Sequence, residues 1–433
     1  IKSLPILSRL VITMAFNSRR FDSNPWYLRI RRMIGAAYQA WIANDPEAIS
    51  EFKDVKNNSN NFEVLAYFGD DLSRSYQLQQ WLPVYEELNK THKVQIICRQ
   101  YPTTKHIRKL TSLPVNSVYD FFTLTDLIES NNYKVILYVN NSFTNFQSMA
   151  AKKAFHVHLN HGESDKMSMT SRQMYAYDVV AVAGQAAKDR LSNSLIVKDE
   201  NKEVVIGRPQ LDLLVKPIDV DQNRKILVYA PTWHGDQEAN NYSSVDCYGE
   251  QIIDALLKIE NSTVLYKPHP KIISTKAVIS SKPHNAILKK LEEANSKDKN
   301  ANHRLVSGDP LPVLQVADFL VSDISAVTLD YLYLKPNGAM LMCDRRSNTE
   351  VFNQVAPVSK AVKVIDKSNI LKIDELIKNH LSGNFDRSRY LELRNYYFGD
   401  TKPGESVKRF IDMVDSLIKK RDQRVAQMPT AIN

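Results

Sequence analysis

Residues 317–335 read ADFLVSDISAVTLDYLYLK, and this stretch joins a strand pattern directly to a helix pattern. Its first part is a short apolar run that stops at Ser322 and Asp323, which is typical of a buried strand in a parallel sheet. Apolar side chains then recur at helical spacing, which predicts a helix that begins near Ser325. The side chains of that stripe are Val327, Tyr331 and Leu334. A strand followed at once by a helix is the repeating unit of α/β folds.

The same alternation of short β-branched runs and amphipathic segments extends through most of the 433-residue chain. In the first half, strands are predicted at residues 61–69, 92–99, 133–141, 154–160, 178–184 and 202–207. In the second half, strands are predicted at residues 224–232, 262–270, 317–323, 337–343 and 361–366, with helices at 249–260, 286–297 and 325–335. Runs that are apolar on both faces predict parallel strands covered by helices on both sides.

These two series predict an α/β protein with two doubly wound domains joined near residue 215. We expect a basic, amphipathic helical region at 1–60, a first Rossmann-like domain at 61–215, a second at 216–400, and a closing helix with a basic tail at 401–433. Ligands of open α/β sheets bind outside the carboxyl ends of the strands. A central cleft faced by both domains is therefore the expected ligand site.

The positive charge of the chain is concentrated at its ends. Residues 1–40 carry a net charge of +6 and residues 401–433 a net charge of +3, which accounts for the whole net charge of +9. A neutral middle argues against nucleic-acid binding, because such proteins spread Lys and Arg over one face of a domain. Basic ends fit an anionic membrane surface. Residues 4–16 are apolar but too few to span a bilayer, so we expect them either on its surface or packed against their own domain.

Two predicted strands of the second half end in polar side chains suited to an anion. Residues 262–270 stop at Lys267 and His269, each followed by a proline that ends the strand. The predicted helix that follows Asp323 begins near Ser325, and its first N–H groups lack intrahelical partners. Together these groups predict a diphosphate site, although Ser325 as a plain helix cap and His269 as a plain strand end remain the alternatives.

Three histidines fall within the run AFHVHLNHG, residues 154–162. His156 and His158 share one face of the predicted strand with Asn160, whereas His161 lies on the other face, just before Gly162. This alternation disfavours a zinc site, which needs three or four converging ligands. We interpret His156 and His158 as satisfied core or interdomain groups, and His161 as a base that faces the cleft.

Several other functions lack their sequence signals. There is neither a Walker loop nor a GxGxxG fingerprint, so a P-loop or nicotinamide role is unsupported. Cys98, Cys247 and Cys343 have no CxxC spacing, which indicates a reducing, cytoplasmic compartment without a disulfide framework or a cysteine zinc site.

Five motifs in one order resemble the CDP-glycerol glycerophosphotransferase family, the transferases of teichoic-acid and capsule polymers in bacteria. They are HG at 161–162, VIGRPQLD at 205–212, YAPTW at 229–233, YKPHP at 266–270 and VSDISAVTLDY at 321–331. The resemblance implies a GT-B fold, with an acceptor domain at 61–215 and a nucleotide-donor domain at 216–400. It also implies transfer of a polyol phosphate, glycerol phosphate or ribitol phosphate, from a CDP-activated donor to a hydroxyl of a membrane-linked polyprenyl or glycolipid acceptor, with release of CMP.

Residue by residue, the resemblance points to His161 and His269 as catalytic groups. From the same resemblance we expect a further set of residues to bind the donor phosphate or nucleotide. These are Lys267, Ser322, Asp323, Ser325, Ala326, Arg208 and Thr232, followed by Gly162, Asp330, Arg345 and Arg346. Neither a cofactor nor a divalent metal is required by this set, and a metal is left open. An enzyme of this kind is expected in the cytoplasm, peripheral at the inner face of the bacterial membrane.

The sequence departs from the family at three places. The family tends to follow HG with Thr-Pro-Leu-Lys, where this chain has ESDK, and its second serine at the helix start is Ala326 here. An Arg-Gly pair beyond the last helix is also absent. Two alternatives therefore stand beside polyol-phosphate transfer: a GT-B glycosyltransferase that uses a nucleotide sugar, and a non-catalytic nucleotide-binding scaffold for wall-polymer assembly.

Overall fold

A computed structural model describes residues 62–429, except for 120, 167–168, 214, 236–237, 275–277 and 403. The predicted basic region at 1–60, with its membrane contact, lies outside the described residues. Among those residues, no helix is both long and apolar enough to cross a bilayer.

Short strands form two sheets, and every pair with a defined register is parallel. The strands of the first sheet are β1 (Val64–Phe68), β2 (Val94–Cys98), β3 (Val115–Ser117), β4 (Val135–Tyr138), β5 (Phe155–His158), β6 (Val179–Val182) and β7 (Glu203–Val205). Those of the second are β8 (Lys225–Ala230), β9 (Ser262–Tyr266), β10 (Arg304–Leu305), β11 (Phe319–Ser322), β12 (Ala339–Cys343) and β13 (Lys363–Ile365). Their orders are β3-β2-β1-β4-β5-β6-β7 and β10-β9-β8-β11-β12-β13.

Helices connect most of the strands. Those of the first half are α1 (Tyr76–Gln79), α2 (Leu82–Leu88), α3 (Tyr101–Ile107), α4 (Phe121–Ser130), α5 (Asn145–Ser148), α6 (Gln185–Ser194) and α7 (Pro209–Asp212). Those of the second half are α8 (Gly249–Leu257), α9 (Pro270–Ser274), α10 (Val278–Lys297), α11 (Leu311–Leu314), α12 (Ala326–Leu334), α13 (Thr349–Val355), α14 (Ile373–Leu381), α15 (Arg387–Phe398) and α16 (Glu405–Ala426). The predicted α/β class with parallel strands is confirmed.

Two compact units divide the chain at positions other than the expected domain limits. The first comprises Ile1–His161, Tyr177–Val180 and Ile411–Asn433, and the second comprises Gly162–Ala176 and Ala181–Phe410. The expected boundary near residue 215 lies inside the second unit, but it also lies between the last strand of the first sheet and the first strand of the second, so the expected domain limits stay a prediction. One side-chain contact explains why residues 162–176 belong to the second unit: Lys166 donates a hydrogen bond to Thr232 of that unit.

The second sheet is buried on both faces. Leu227 and Phe319 belong to one hydrophobic cluster, whereas the adjacent Val228 and Leu320 belong to another. Because side chains alternate along a strand, the two clusters lie on opposite faces of the sheet. Helices cover both faces, and the polar groups that follow the strands are gathered at one edge.

Candidate functional site

The candidate site lies in the second unit, where neighbouring parallel strands end. β9, β8, β11 and β12 are adjacent in the sheet, so the segments after them share its carboxyl edge. These segments carry Lys267 and His269 after β9, Thr232 and Trp233 after β8, Asp323 and Ser325 after β11, and Arg345 after β12. The sequence prediction that the ends of residues 262–270 and 317–323 meet at one edge agrees with this order.

Asp323 holds the segments of this edge together. It is fully buried, and its Oδ2 accepts hydrogen bonds from the backbone N–H of Thr232 at 2.8 Å and of Ser244 at 3.2 Å. Burial raises the pKa of Asp323 to about 7, although these hydrogen bonds oppose the shift. Ser322 is buried too, and its hydroxyl donates to the carbonyl of Ala230. Both residues therefore hold the segments of this edge together, and Oδ1 of Asp323 has no hydrogen-bond partner among the described residues.

Helix α12 begins as the sequence predicts, with Ser325 as the residue before its first turn and Ala326 as its first residue. The Ser325 side chain does not cap the helix. Its Oγ lies 3.3 Å from Oγ of Ser322 and 3.5 Å from Oγ1 of Thr328. The interpretation of Ser325 as a plain side-chain cap is thus not supported. The first-turn N–H groups of this nine-residue helix favour a negatively charged ligand.

Two lysines bring ammonium groups to this edge without forming ion pairs to any residue that the structure describes. Lys267 is buried, and burial lowers its pKa to about 8. Lys166, four residues after Gly162, donates from Nζ to Oγ1 of Thr232 at 2.6 Å, and burial lowers its pKa to about 8 as well. Asp309 attracts Lys267 and Asp323 attracts Lys166, neither at ion-pair distance. A desolvated ammonium without a carboxylate partner is suited to an anionic ligand.

His269 lies beside an aromatic ring. Its backbone N–H donates to the carbonyl of Pro231 at 3.0 Å, and its Nδ1 accepts from the backbone N–H of Lys271 at 3.2 Å. The imidazole is stacked with the indole of Trp233, with ring centroids 6.1 Å apart. His269 therefore has a defined orientation at the end of β9.

Gly162 lies close to the start of α12. A Cβ atom built on Gly162 would be 3.5 Å from Cβ of Ala326 and 3.9 Å from Nη2 of Arg208. Within the second unit, Gly162 is thus next to the helix start and to Arg208. Arg208 itself is buried and forms an ion pair with Asp330 at 2.7 Å.

The arginines predicted to bind phosphate already contact carboxylates or an aromatic ring. Arg208 pairs with Asp330, whose pKa is raised by burial despite the guanidinium. Arg345 binds Asp246 through two hydrogen bonds, of 2.6 and 3.1 Å. Arg346 lies over the ring of Tyr242, 5.0 Å from its centroid. Arg208, Asp330 and Arg345 therefore have partners within the protein, and their contact with donor phosphate stays a prediction.

The three histidines of the segment AFHVHLNHG differ in their surroundings. His156 is satisfied, with Nδ1 2.7 Å from the hydroxyl of Tyr138 and Nε2 3.1 Å from the carbonyl of Ala151. His158 is fully buried, and neither ring nitrogen has a hydrogen-bond partner among the described residues. The prediction of a satisfied core group is therefore correct for His156 and wrong for His158. Burial lowers the pKa of His158 to about 3, so it is neutral.

His161 follows a residue with an unusual backbone conformation. Asn160 has a φ of 61°, and its side chain accepts a hydrogen bond from the backbone N–H of His161. The imidazole of His161 meets the ring of Tyr76 edge to face, 6.2 Å between centroids. Within the first unit, the left-handed Asn160 thus ends the β5 segment and turns His161 out of it.

Two residues of the site were missed in the sequence. Lys166 is the one position of the ESDK segment that retains the residue type of the family's usual Thr-Pro-Leu-Lys, which is a usable signal. Trp233 lies within YAPTW but is not distinguished there from a core aromatic. In the parts of the chain that the structure describes, no group of three or more His, Cys, Asp or Glu could hold a metal ion.

Comparison with known sequences identifies a family over almost half of the chain. Residues 128–337 match the family described as CDP-Glycerol:Poly(glycerophosphate) glycerophosphotransferase. The matched range contains His161, Lys166, His269 and the start of α12. The family resemblance indicated by the five motifs is confirmed over this range. No curated protein sequence matches the chain.

Solved structures share the fold of the chain at low sequence identity. The wall teichoic acid polymerase TagF superposes with a TM-score of 0.52 and 13% identity, over 90% of this chain and 98% of that chain. UDP-GlcNAc 2-epimerase from Neisseria meningitidis, bound to UDP-GlcNAc, superposes with a TM-score of 0.53 and 15% identity, over 82% of this chain and 100% of that chain. These likenesses show a GT-B fold, as the sequence resemblance implies.

Proposed function

Because residues 128–337 carry the sequence pattern of the CDP-glycerol glycerophosphotransferase family, we propose that this chain transfers a polyol phosphate from a CDP-activated donor. The polyol phosphate is glycerol phosphate or ribitol phosphate. The acceptor is a hydroxyl of a cell-wall or capsule glycopolymer linked to a polyprenyl or glycolipid anchor, and CMP is released. The family match supports the donor class, and the chemistry of the second unit supports its diphosphate.

The observation that carries this proposal is the pair of desolvated ammonium groups at one sheet edge. Within the described part of the chain, Lys267 and Lys166 both lack an ion-pair partner, and both lie on segments that flank the end of β8. The first turn of α12 adds backbone N–H donors beside them. Two positive charges and a helix N-terminus match a diphosphate better than they match a single carboxylate.

In the proposed reaction, His161 removes the proton of the acceptor hydroxyl as its oxygen attacks the β-phosphorus of the donor. The bond from this phosphorus to the oxygen that bridges it to the α-phosphate breaks, and CMP leaves with the bonding pair. A neutral hydroxyl is a weak nucleophile, so a positioned base contributes about 10²–10⁴-fold. Lys166, Lys267 and His269 would stabilise the charge on phosphoryl oxygens and on the leaving group.

Release of CMP is the direct test. The purified protein is incubated with CDP-glycerol or CDP-ribitol and a lipid-linked acceptor, and CMP is measured by chromatography. His161→Ala should lower turnover by about 10²–10⁴-fold with an unchanged melting temperature, because only the base is lost. His106→Ala, on helix α3, is the matched control and should retain full activity. Full turnover by His161→Ala would remove the assigned base.

A donor panel separates this function from the two alternatives. Melting temperature is measured with CDP-glycerol, CDP-ribitol, and UDP-, GDP- and CMP-sugars, since a ligand that binds the folded state raises it. Stabilisation by a nucleotide sugar alone would favour a glycosyltransferase. Stabilisation by CMP or CDP without consumption of any donor would favour the scaffold, which Ala326 and the missing Arg-Gly pair make the third candidate.

We also propose that the protein works in the cytoplasm at the inner face of the membrane. The support is the net charge of +6 in residues 1–40 beside a short apolar segment. Sedimentation with vesicles tests this: binding to phosphatidylglycerol vesicles that weakens with salt is expected, whereas equal binding to neutral vesicles would contradict a role for the basic residues.

A further inference from the structure

The loop after β8 places an indole ring against His269, and the proposed reaction assigns this ring no role. The centroids of Trp233 and His269 are 6.1 Å apart, and the two rings are inclined by 29°. The ammonium of Lys271 lies 3.5 Å from the centroid of Trp233, as a cation–π contact. Trp233 therefore contacts both the imidazole and a cation on helix α9.

The hydrogen bond at Nδ1 determines where the imidazole of His269 carries its proton. The backbone N–H of Lys271 donates to Nδ1 at 3.2 Å. A peptide N–H can only donate, so Nδ1 must be the acceptor and holds no proton. In the neutral ring the proton is then on Nε2. This donor belongs to the peptide chain, so its presence does not depend on the side chain at position 271.

The backbone around His269 keeps this arrangement in place. The N–H of His269 donates to the carbonyl of Pro231 at 3.0 Å, and its carbonyl accepts from the N–H of Ile272 at 2.9 Å. The peptide of His269 is thus fixed both to the loop after β8 and to the first turn of α9. The ring, stacked on Trp233 and bonded at Nδ1, has little freedom to rotate about χ2.

The cation on the indole also favours the neutral imidazole. The ammonium of Lys271 contacts the same indole as the imidazole of His269, and a like charge nearby disfavours a positive charge on the ring. The positive charge needed for a diphosphate is already supplied by Lys166 and Lys267. His269 can contribute a directed hydrogen bond instead of a charge.

We propose that His269 acts as a neutral imidazole that donates one hydrogen bond from Nε2 to a phosphoryl oxygen, with Trp233 as the residue that positions it. It serves neither as a general base nor as an imidazolium. The identity of the phosphoryl oxygen rests on the proposed function, whereas the position of the proton does not.

The position of the proton is measured by NMR on the full chain without any ligand. Histidine labelled with ¹⁵N in the ring is incorporated, and the signals of His269 are identified by their loss in His269→Gln. At a pH of about 7.5, above the ordinary pKa of histidine, we expect the proton on Nε2 and an unprotonated Nδ1. A proton on Nδ1, or on both nitrogens, would overturn the proposal whether or not the protein is a transferase.

Gln and Asn variants of His269 test the donor role, because their side-chain amides lie at different distances from the backbone. A Gln amide reaches the position of Nε2, whereas an Asn amide reaches only that of Nδ1. We expect His269→Ala and His269→Asn to lower kcat for CMP release by about 10²–10³-fold, and His269→Gln to recover most of that loss, within about tenfold of the wild type. Equal losses in all three would mean that a charge or a base is required, which contradicts the proposal.

The positioning role of Trp233 predicts a split between kinetic constants. Trp233→Leu should lower kcat by about tenfold with little change in the KM for the donor, since a misdirected hydrogen bond affects the transition state most. Trp233→Phe keeps an aromatic face and should restore most of the activity. If neither variant changes kcat, Trp233 does not position His269. If no CDP-linked donor is turned over at all, the proposed function fails, and the NMR measurement still decides the state of His269.

Discussion

Lys166 would give the proposed donor site a positive charge, and the described residues leave this charge without an ion-pair partner. Its Nζ is 2.6 Å from Oγ1 of Thr232 and lies 6.0 Å from the ring centroid of Tyr242. A buried ammonium costs free energy unless an anion compensates it. A bound phosphate would supply that anion. Compensation of the buried charge would then contribute to the free energy of binding.

Lys166→Met should therefore weaken catalysis without weakening the fold. Loss of a hydrogen bond to a charged group, about 1.5–3 kcal/mol, corresponds to a decrease of about 10–100-fold in kcat/KM for the donor. The free energy of unfolding should stay the same or rise, because a desolvated charge is removed. Steady-state kinetics and urea unfolding check the two parts. Lys289→Met, at an exposed lysine that pairs with Glu293, is the control; an unchanged kcat/KM in Lys166→Met would contradict the role of Lys166.

Sequence reasoning identified the residues at the strand ends better than it identified their partners. Lys267, His269 and Ser325 follow apolar runs, and parallel strands bring such ends to one edge. Arg208 is predicted to bind phosphate, and in the structure it pairs with Asp330, which is 122 positions away in the chain. A local sequence pattern does not predict an ion pair between residues that far apart in the chain. A buried arginine and a phosphate-binding arginine therefore look the same in a single sequence.

At the scale of elements, helices α6 and α15 hold the segment after Gly162 in place. Arg190 of α6 binds Glu163 at 2.6 Å and Asp165 at 3.2 Å. The hydroxyl of Tyr397 in α15 donates to the other oxygen of Asp165 at 2.5 Å. Burial raises the pKa of Asp165 to about 6, although Arg190 and Tyr397 oppose the shift. This network positions the segment that carries Lys166.

Breaking this network should be costly, because it leaves two buried carboxylates without a cation. Arg190→Met should lower the free energy of unfolding by about 3–5 kcal/mol, as removal of one partner of a buried ion pair does. Arg389→Met, which breaks an exposed pair with Glu392, should cost about 0–1 kcal/mol. Urea unfolding of both variants gives the comparison. Equal, small losses would show that Arg190 does not hold the segment.

Most strands were predictable, including the three-residue edge strands β7 and β13, whereas the edge strands β3 and β10 were not. β3 and β10 have three and two residues, and polar residues interrupt the apolar ones around them, so no apolar run marks either strand. Helix α10 also differs from the prediction, since it begins at Val278 and includes Pro283, whereas the sequence places its start at residue 286. Proline normally ends a helix, and the cost is smallest near the N-terminus, where few N–H groups have intrahelical partners.

At the scale of the whole chain, the C-terminal helix α16 is tied to the first unit by titratable groups. His92 lies 2.9 Å from Glu63 and 2.5 Å from Asp415 of α16. Lys134 binds Glu63 at 2.9 Å and Asp422 of α16 at 2.7 Å. Burial lowers the pKa of His92, but the hydrogen bonds that its imidazole donates to Asp415 and Glu63 outweigh this effect, so the pKa is raised above 6.5.

This network predicts a limited range of pH for the stability that His92 contributes. A raised pKa stabilises the folded state below the ordinary value of 6.5, and the contribution is lost as pH rises through the folded value. The pKa of Glu63 is lowered from 4.5, so its contribution is lost as pH falls below that value. The difference in melting temperature between wild type and His92→Gln should therefore be largest between pH 4.5 and 6.5. A difference that stays constant across this range and on into alkaline pH, or that grows as the pH becomes alkaline, would contradict it.

The number of sheets could be derived from the sequence, whereas the limits of the compact units could not. Apolar runs indicate how many strands there are, but they do not indicate against which unit a connecting segment packs. Residues 162–176 follow a strand of the first sheet and nevertheless belong to the second unit. Single contacts such as that of Lys166 with Thr232 explain this, and they depend on side-chain reach that periodicity does not report.

A crystal structure of the His161→Ala variant with CDP-glycerol tests the donor site most directly. We expect the diphosphate oxygens within hydrogen-bond distance of the Lys166 and Lys267 ammonium groups and of Nε2 of His269, with the first N–H groups of α12 beside them. A diphosphate bound elsewhere, or turned away from both ammonium groups while the cytidine is held, would contradict the assignment of this sheet edge as the donor site.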